Sequence, residues 1–505
     1  MIEAIRSRLP PDRDLLPIGV LVAVGAALRV FLSFVSTPAT LTQYDANSYV
    51  WQAEGGLFES FFQAPGYSFF LRIPHLLSDD VVFTLSVQHL LALCTAVLAW
   101  HVLYRLTSSR WAGLVPAAFL LLEADTLLVE HALMSETLFT LLVVAMIWAA
   151  LGALGSERPL RWLLAAGLLL GAAIWVRYAA VALVPILLGW AIAVAWPRWR
   201  DGLADAAITA VPVASLIALL IVLQGAQNGH YGLGESGGWA LYSRVAPFAD
   251  CREFTPPEGT EALCQSTPSS ERPHPDWYGY NQRSPAKIVF GGQPAGDELL
   301  GAWARRAILS QPLDYLGAVW NDLMLFFDEQ PWTNRRDSLI GPMSVSFRLR
   351  TPDEHCPDCV MPDQLIEFNS LYGWTDPREG AYYEVFDPQI REGIEFFQDY
   401  QRVLRLHGPL FAVLVVLSLV GLAATRGPHA RVQWLLTLCA LALLVLPVAT
   451  TTYNVRYGLP AMPIFALAAT LAVISMRDRA RRRLDARQAP NGRSGKFRPP
   501  LGGPG

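Results

Sequence analysis

Charge is the scarcest commodity in this chain. Asp, Glu, Lys and Arg make up 16% of its 505 residues, while 53% are hydrophobic and the mean hydropathy is +0.32. Ordinary soluble domains carry roughly 25% charged residues, so a freely soluble globular chain is excluded and a bilayer is the expected solvent. Lysine is almost missing: Lys287 and Lys496 are the two examples, and arginine supplies the rest of the positive charge. No Walker loop and no dinucleotide fingerprint is present, which excludes the glycine-rich phosphate cradles those motifs build. No internal repeat is visible either, which argues against a transporter assembled from repeats. The formal net charge of −4 excludes little, because the charges are sorted by region, and nucleic acid is not an expected partner.

What is abundant is apolar sequence in long runs. Segments long enough to cross about 30 Å of hydrocarbon lie at about 15–36, 81–104, 111–129, 135–154, 161–176, 178–196, 204–224, 408–425, 431–450 and 456–476. The first run continues for some twenty residues without a small-residue cleavage site, so it reads as a helix rather than a cleaved signal. Segments 161–176 and 178–196 nearly touch, as a tight hairpin or with a boundary displaced. With the N-terminus (Arg6, Arg8, Arg13) placed in the cytoplasm, arginines fall mainly in the connections on that side, and Arg477, Arg479, Arg481, Arg482 and Arg483 follow the last run. Those connections hold Arg105 and Arg110, Arg158 and Arg161, Arg198 and Arg200, and Arg426 and Arg431. The opposite side has only Arg72, Arg177 and Arg456 in its short connections, as the positive-inside rule requires.

The expected class is therefore an all-α polytopic membrane protein of about ten transmembrane helices with a large mixed extracytoplasmic insert. Residues 1–224 form an N-terminal membrane module with a first outer loop at 37–80, and 225–407 form the insert. Residues 408–476 are C-terminal transmembrane helices, and 477–505 a basic, disordered cytoplasmic tail. Within the insert, Pro312–Phe327 has an amphipathic helical pattern suited to a membrane surface. Of six cysteines, Cys94 and Cys439 lie in apolar runs, where a small buried hydrophobe is expected. Cys251–Cys264 and Cys356–Cys359 are candidate disulfides if the insert faces an oxidising compartment; the second pair has the alternative of half a zinc site.

Four places carry residues with chemical potential. Asp45, just past the first helix, suits a general base, or else the N-cap of a short helix. Pro65, Gly66 and Tyr67 read as a turn with an interfacial anchor. Asp125, Glu130, His131, Ser135 and Glu136 crowd one outer connection, where they would bind a divalent metal or sugar hydroxyls, or form a solvated turn. Arg177 and Arg456 break the positive-inside pattern, each beside a tyrosine (Tyr178, Tyr457); they suit a lipid phosphate or simple snorkelling.

Tyr44-Asp45, Ala64-Pro65-Gly66-Tyr67, Met134-Ser135-Glu136-Thr137-Leu138-Phe139 and Arg456-Tyr457-Gly458-Leu459-Pro460 with Pro463 together resemble the GT-C superfamily of membrane glycosyltransferases. The closer likeness is to the family 39-like branch of protein O-mannosyltransferases and the bacterial aminoarabinose transferase. It covers the N-terminal third and the last helix, with Ala46 where an acidic pair is common and Ala64 where the turn usually has proline. The resemblance implies transfer of a monosaccharide from a polyprenyl-phosphate-linked donor to a hydroxyl on a protein, lipid or cell-wall glycan. In that reading Asp45 is the catalytic base, Glu136 with His131 and Asp125 positions the acceptor or a divalent metal, and Arg177, Arg456 and Tyr457 hold the lipid phosphate. A base opposite the leaving group implies inversion. The expected setting is the outer face of a bacterial cytoplasmic membrane, with both termini inside. A lipid-linked-substrate flippase and a non-catalytic assembly protein are the rival classes.

Overall fold

The structure, a computed structural model, describes residues 11–37, 44–58, 60–154, 156–328, 389–390, 393–405 and 408–488. The Cys356–Cys359 pair, Arg6 and Arg8 lie outside them. In chain order the helices are α1 Asp12–Val35, α2 Tyr44–Glu54, α3 Gly66–His75, α4 Val81–Thr107, α5 Leu114–Leu122, α6 Ala124–Glu130, α7 Glu136–Ala153, α8 Pro159–Val176, α9 Leu183–Ala195 and α10 Trp199–Asn228. The insert contributes α11 Gly237–Val245, α12 Pro275–Tyr280, α13 Pro285–Phe290, α14 Asp297–Ser310 and α15 Pro312–Met324. After it come α16 Ile394–Leu404, α17 Gly408–Ala424, α18 Pro428–Thr450, α19 Val455–Gly458 and α20 Met462–Gln488. A two-residue antiparallel ladder pairs β1 Ser36–Thr37 with β2 Gln389–Ile390.

The protein is a helical polytopic membrane protein. Among the described residues, seven helical stretches are long and apolar enough to cross a bilayer: Asp12–Val35, Val81–Thr107, Glu136–Ala153, Pro159–Val176, Tyr178–Ala195, Trp199–Asn228 and His429–Thr450. The other three apolar segments take different forms. Gly408–Ala424 is a shorter apolar helix. The last segment starts at Met462 after a short turn, and its helix runs on to Gln488. Residues 477–488, assigned above to a disordered tail, are thus helical: arginine is a good helix former and this stretch has no Gly or Pro to stop the ladder. The touching pair 161–176 and 178–196 is two helices that part at Arg177, whose backbone is extended (φ −149°, ψ 123°).

The segment at 111–129 is broken. Glu123 leaves the helical region (φ −68°, ψ 127°) and its Oε2 accepts from the Thr126 backbone N–H at 2.6 Å, capping α6. Ending α5 there frees its last carbonyls inside the packed bundle, where unpaired backbone groups are costly. Arg29 donates to the carbonyls of Leu121 (3.1 Å) and Leu120 (3.3 Å), and the Tyr400 hydroxyl donates to Leu122 O (2.6 Å). The break is thereby stabilised from α1 on one side and α16 on the other.

The described part of the insert has its own core, built on Trp239, Tyr242, Tyr278, Leu300 and Trp303. The Cys251–Cys264 disulfide expected from the sequence is formed. A polar clasp joins this unit to the membrane helices. Asp322 of α15 accepts from Arg244 Nη1 (2.8 Å), Thr452 Oγ1 (3.2 Å) and the Tyr453 backbone N–H (3.0 Å), and Thr452 Oγ1 also meets His274 Nε2 at 3.1 Å.

Candidate functional site

Two clusters of buried charge lie at the end of the bundle where α1, α8 and α18 finish and α7 begins. The first is made by residues far apart in sequence. Arg456, on the short turn α19, pairs with Asp45 at the start of α2 through Nη2 and Oδ2. Its Nη1 lies 4.0 Å from Glu136 Oε1, in the first turn of α7. Arg177, at the α8–α9 break, brings Nη1 to 2.5 Å from the same oxygen. Two carboxylates and two guanidiniums thus alternate, Asp45–Arg456–Glu136–Arg177. The Tyr457 ring sits beneath both cations, 5.5 Å from Arg456 Cζ and 5.8 Å from Arg177 Cζ.

Local sequence explains each position. Pro65 precedes the first turn of α3, and Gly66 packs so closely on the end of α8 that a Cβ there would come within 2.5 Å of Trp175 O. Only glycine permits that approach, which fixes the turn against the backbone leading into Arg177. Tyr67 is fully buried, donates its hydroxyl to Gln88 Oε1 and stacks edge-on against Tyr49 with centroids 4.7 Å apart. Tyr67 therefore acts inside the bundle rather than as the surface anchor expected. Gln88 in turn donates to the carbonyls of Glu130 (3.0 Å) and Ala132 (2.8 Å).

The cluster is tightly held but not saturated. Glu136 is 4% exposed; its Oε1 is paired with Arg177, while its Oε2 has no hydrogen-bond donor among the described residues. Arg456 Nε is likewise without an acceptor there. Asp45 is the most open member, its side chain 25% exposed. Tyr49 donates to Ser135 Oγ at 3.0 Å; burial first, then the Asp45 charge, push its phenol well above the ordinary range, so it stays a neutral donor. Burial works against the Arg456 charge, but Asp45 and Glu136 outweigh it and hold the guanidinium's pKa well above its usual value.

The second cluster is saturated. Arg29 binds Glu130 with both arms (Nε–Oε1 2.7 Å, Nη2–Oε2 2.6 Å), and His89 Nδ1 meets Glu130 Oε1 at 2.5 Å. His89 Nε2 faces His131 Nδ1 at 3.2 Å, and His131 Nε2 donates to Ser36 O at 2.7 Å. A carbonyl and an ionised carboxylate only accept, so both ends of the His89–His131 pair are N–H donors. The contact between the two rings therefore needs one further proton, shared by the pair. Burial, then the His89 charge, lower His131 to about 4, which leaves it the neutral partner.

The structure thus corrects one grouping. Asp125, His131 and Glu136 do not converge on a metal or acceptor. Asp125 is clamped by Arg405 (both oxygens at 2.8 Å from Nε) and by Gln401 at 2.7 Å, anchoring α16. His131 belongs to the Arg29 network, and only Glu136 stands with Asp45. Each was drawn to a nearer cation or carbonyl than to the others, because an unpaired charge at this depth is costly. Among the described residues no three His, Cys, Asp or Glu side chains are placed to hold a metal ion. Tyr49, Arg29 and His89 were not foreseen. Arg29 could have been, since an arginine inside an apolar run is itself a signal.

A small cavity of about 30 Å³ lies between the two clusters, lined among others by Glu130, Glu136, Thr95, Thr126, Thr140 and Leu459.

Residues 63–225 match the family described as dolichyl-phosphate-mannose-protein mannosyltransferase. No curated protein matches the chain. Among solved structures it is similar to the oligosaccharyltransferase of Archaeoglobus fulgidus in the apo form, at 13% identity and TM-score 0.45, covering 94% of this chain and 52% of that one. It is also similar to the archaeal oligosaccharyltransferase AglB of the same organism in complex with an inhibitory peptide and a dolichol-phosphate. There the identity is 13% and the TM-score 0.44, over 95% and 52% of the two chains. The chain spans about half the length of these structures. The matched segment runs from Gln63, beside the Pro65 turn, through Glu136 and Arg177 to Gly225. Residues 63–225 of the membrane core are thus similar to the dolichyl-phosphate-mannose-protein mannosyltransferase family.

Proposed function

We propose that the protein transfers a monosaccharide from a polyprenyl-phosphate-linked donor to a hydroxyl acceptor at the outer face of the cytoplasmic membrane. The observation that carries this reading is the convergence of Asp45, Glu136, Arg177 and Arg456, from four separate stretches, at one end of the bundle. Arg177 and Arg456, with the Tyr457 ring beneath them, hold the donor phosphate by charge-assisted hydrogen bonds. The acceptor oxygen attacks the anomeric carbon and the carbon–phosphate-oxygen bond breaks. The electron pair leaves on the phosphate, where the two arginines stabilise the added charge. Asp45 takes the acceptor proton, and attack opposite the leaving group inverts the anomeric centre.

The pairing of Asp45 with Arg456 gives this scheme an order of events. A carboxylate bound to a guanidinium is a poor base, and a donor phosphate competes for the same guanidinium. Donor binding therefore releases Asp45 as it fills the site. Glu136 keeps Arg177 oriented, or meets the acceptor once a phosphate has drawn the arginines away. The acceptor is a protein, a lipid or a cell-wall glycan, both termini are cytoplasmic, and the insert faces outward over the site.

The test is transfer from radiolabelled polyprenyl-phosphate sugars in membranes holding wild type or Asp45→Asn at equal abundance. Transfer by wild type and its loss in the variant supports both the class and the base. Equal transfer by both removes Asp45 from the mechanism, and no transfer from any donor favours a flippase or an assembly role.

A further inference from the structure

Helix α15 (Pro312–Met324) has three faces rather than two. At about 100° per residue, Val319 and Asp322 fall on one side, and both are buried against the protein. Leu313, Leu316 and Trp320 share a second side and are 80%, 58% and 61% exposed. Asp314 and Asn321 edge that stripe, and both are exposed. A helix whose unburied surface is apolar with a polar margin has the pattern of one lying along a membrane interface, with an aromatic at headgroup level.

Its position fits. The Tyr315 hydroxyl donates to Ala449 O at 3.0 Å, at the last turn of α18. Beyond the helix, Phe327 and Asp328 lie so close to the first residue of α17 that a Cβ on Gly408 would come within 2.3 Å of their backbone. The helix thus bridges the ends of two apolar helices, α18 and α17. Its apolar stripe is continued by Leu410 and Val413 of α17, 56% and 51% exposed. Leu309, 81% exposed at the end of α14, extends it the other way.

We propose that α15 is a membrane-interface helix, with Leu313, Leu316 and Trp320 seated at the headgroup–acyl boundary of the leaflet on the insert's side. The occupant of this face is lipid, because the stripe runs on into the lipid-facing surface of α17. It has a consequence for the charged site. Asp322, on the opposite side of the same helix, binds Thr452 and the Tyr453 backbone, four and three residues before Arg456. Seating α15 in the interface therefore sets the height of the segment that carries Arg456. The interface assignment stands apart from the proposed activity; only this consequence rests on it.

The experiment uses the full chain in phosphatidylcholine vesicles containing a diazirine-bearing phospholipid, with adducts mapped by mass spectrometry and a parallel hydroxyl-radical footprint. The expected result is lipid adducts on Leu313, Leu316 or Trp320 at a level comparable with Leu410 and Val413, and weak Trp320 oxidation. Leu316→Glu is expected to remove the α15 adducts while those on α17 persist. Strong oxidation of Trp320 without adducts overturns the proposal in favour of a water-exposed helix. Protection from both reagents overturns it in favour of a protein partner. A sugar-transfer assay that fails leaves the adduct map unaffected, so the two readings fail separately.

Discussion

The two buried charge clusters sit across one small cavity and each pairs glutamate with arginine, yet they end in different states. Around Glu130 every donor has an acceptor: two arms of Arg29, His89, His131 and the Ser36 carbonyl form a closed chain. Arg29 also spends donors on Leu120 and Leu121, the carbonyls freed by the helix break. Around Glu136 the charges cancel in number but not in hydrogen bonds. Glu136 Oε2 has no donor and Arg456 Nε no acceptor among the described residues, and Asp45 is a quarter exposed. A saturated network stabilises one geometry. An unsaturated one at the same depth holds polar capacity for something else, and in the proposed function that is the donor phosphate and the acceptor hydroxyl.

The comparison can be broken at several points. The largest effect is expected from Asp45→Asn, which removes the base but keeps the shape. Sugar transfer should fall by roughly 10²–10⁴-fold with little change in thermal midpoint in detergent. A midpoint that collapses instead would make this cluster structural too. Glu130→Leu should do the reverse. Leaving Arg29 buried without its carboxylate is expected to cost about 3–5 kcal/mol, read as a lower midpoint and poor membrane accumulation. If Glu130→Leu accumulates normally, the distinction between scaffold and site is wrong.

Smaller effects sharpen the contrast. Arg177→Met should weaken donor binding by about 1.5–3 kcal/mol, the range for hydrogen bonds to charged groups, raising the donor KM more than it lowers kcat. An unchanged KM would assign the lipid phosphate elsewhere. The gentlest probe is pH. His131 is held near 4 in the fold against an ordinary 6.5, so below 6.5 the unfolded chain takes up a proton that the native one refuses. Its contribution to stability is present above about 6.5 and is lost as pH falls toward 4. The thermal midpoint of wild type should decline across that window, and His131→Gln should flatten the decline.

How much of this was legible beforehand depends on whether the signal was local. Each apolar run is a property of its own residues, so each was read close to its place, and Cys251–Cys264 was readable from proximity in one loop. The break at Glu123 was not: an apolar stretch reads as one span unless the partners for its freed carbonyls are known, and those come from Arg29 and Tyr400. Asp45, Glu136, Arg177 and Arg456 were each singled out, but the crowd at 125–136 looked like one site and proved to be three. Asp125 serves α16, His131 serves Arg29, and Glu136 alone faces Asp45. Sequence neighbours on successive short helices point in different directions, and which cation each acid meets is set by segments tens to hundreds of residues away.

Composition and periodicity by themselves determined the solvent, the helical class and the places where charge is out of keeping with its surroundings, because the cost of burying a polar group is paid residue by residue. Only the tertiary structure decided which charges pair. Ion pairing acts over a few ångströms in space, and the arginine that meets Asp45 lies 411 positions further along the chain, since 456 − 45 = 411.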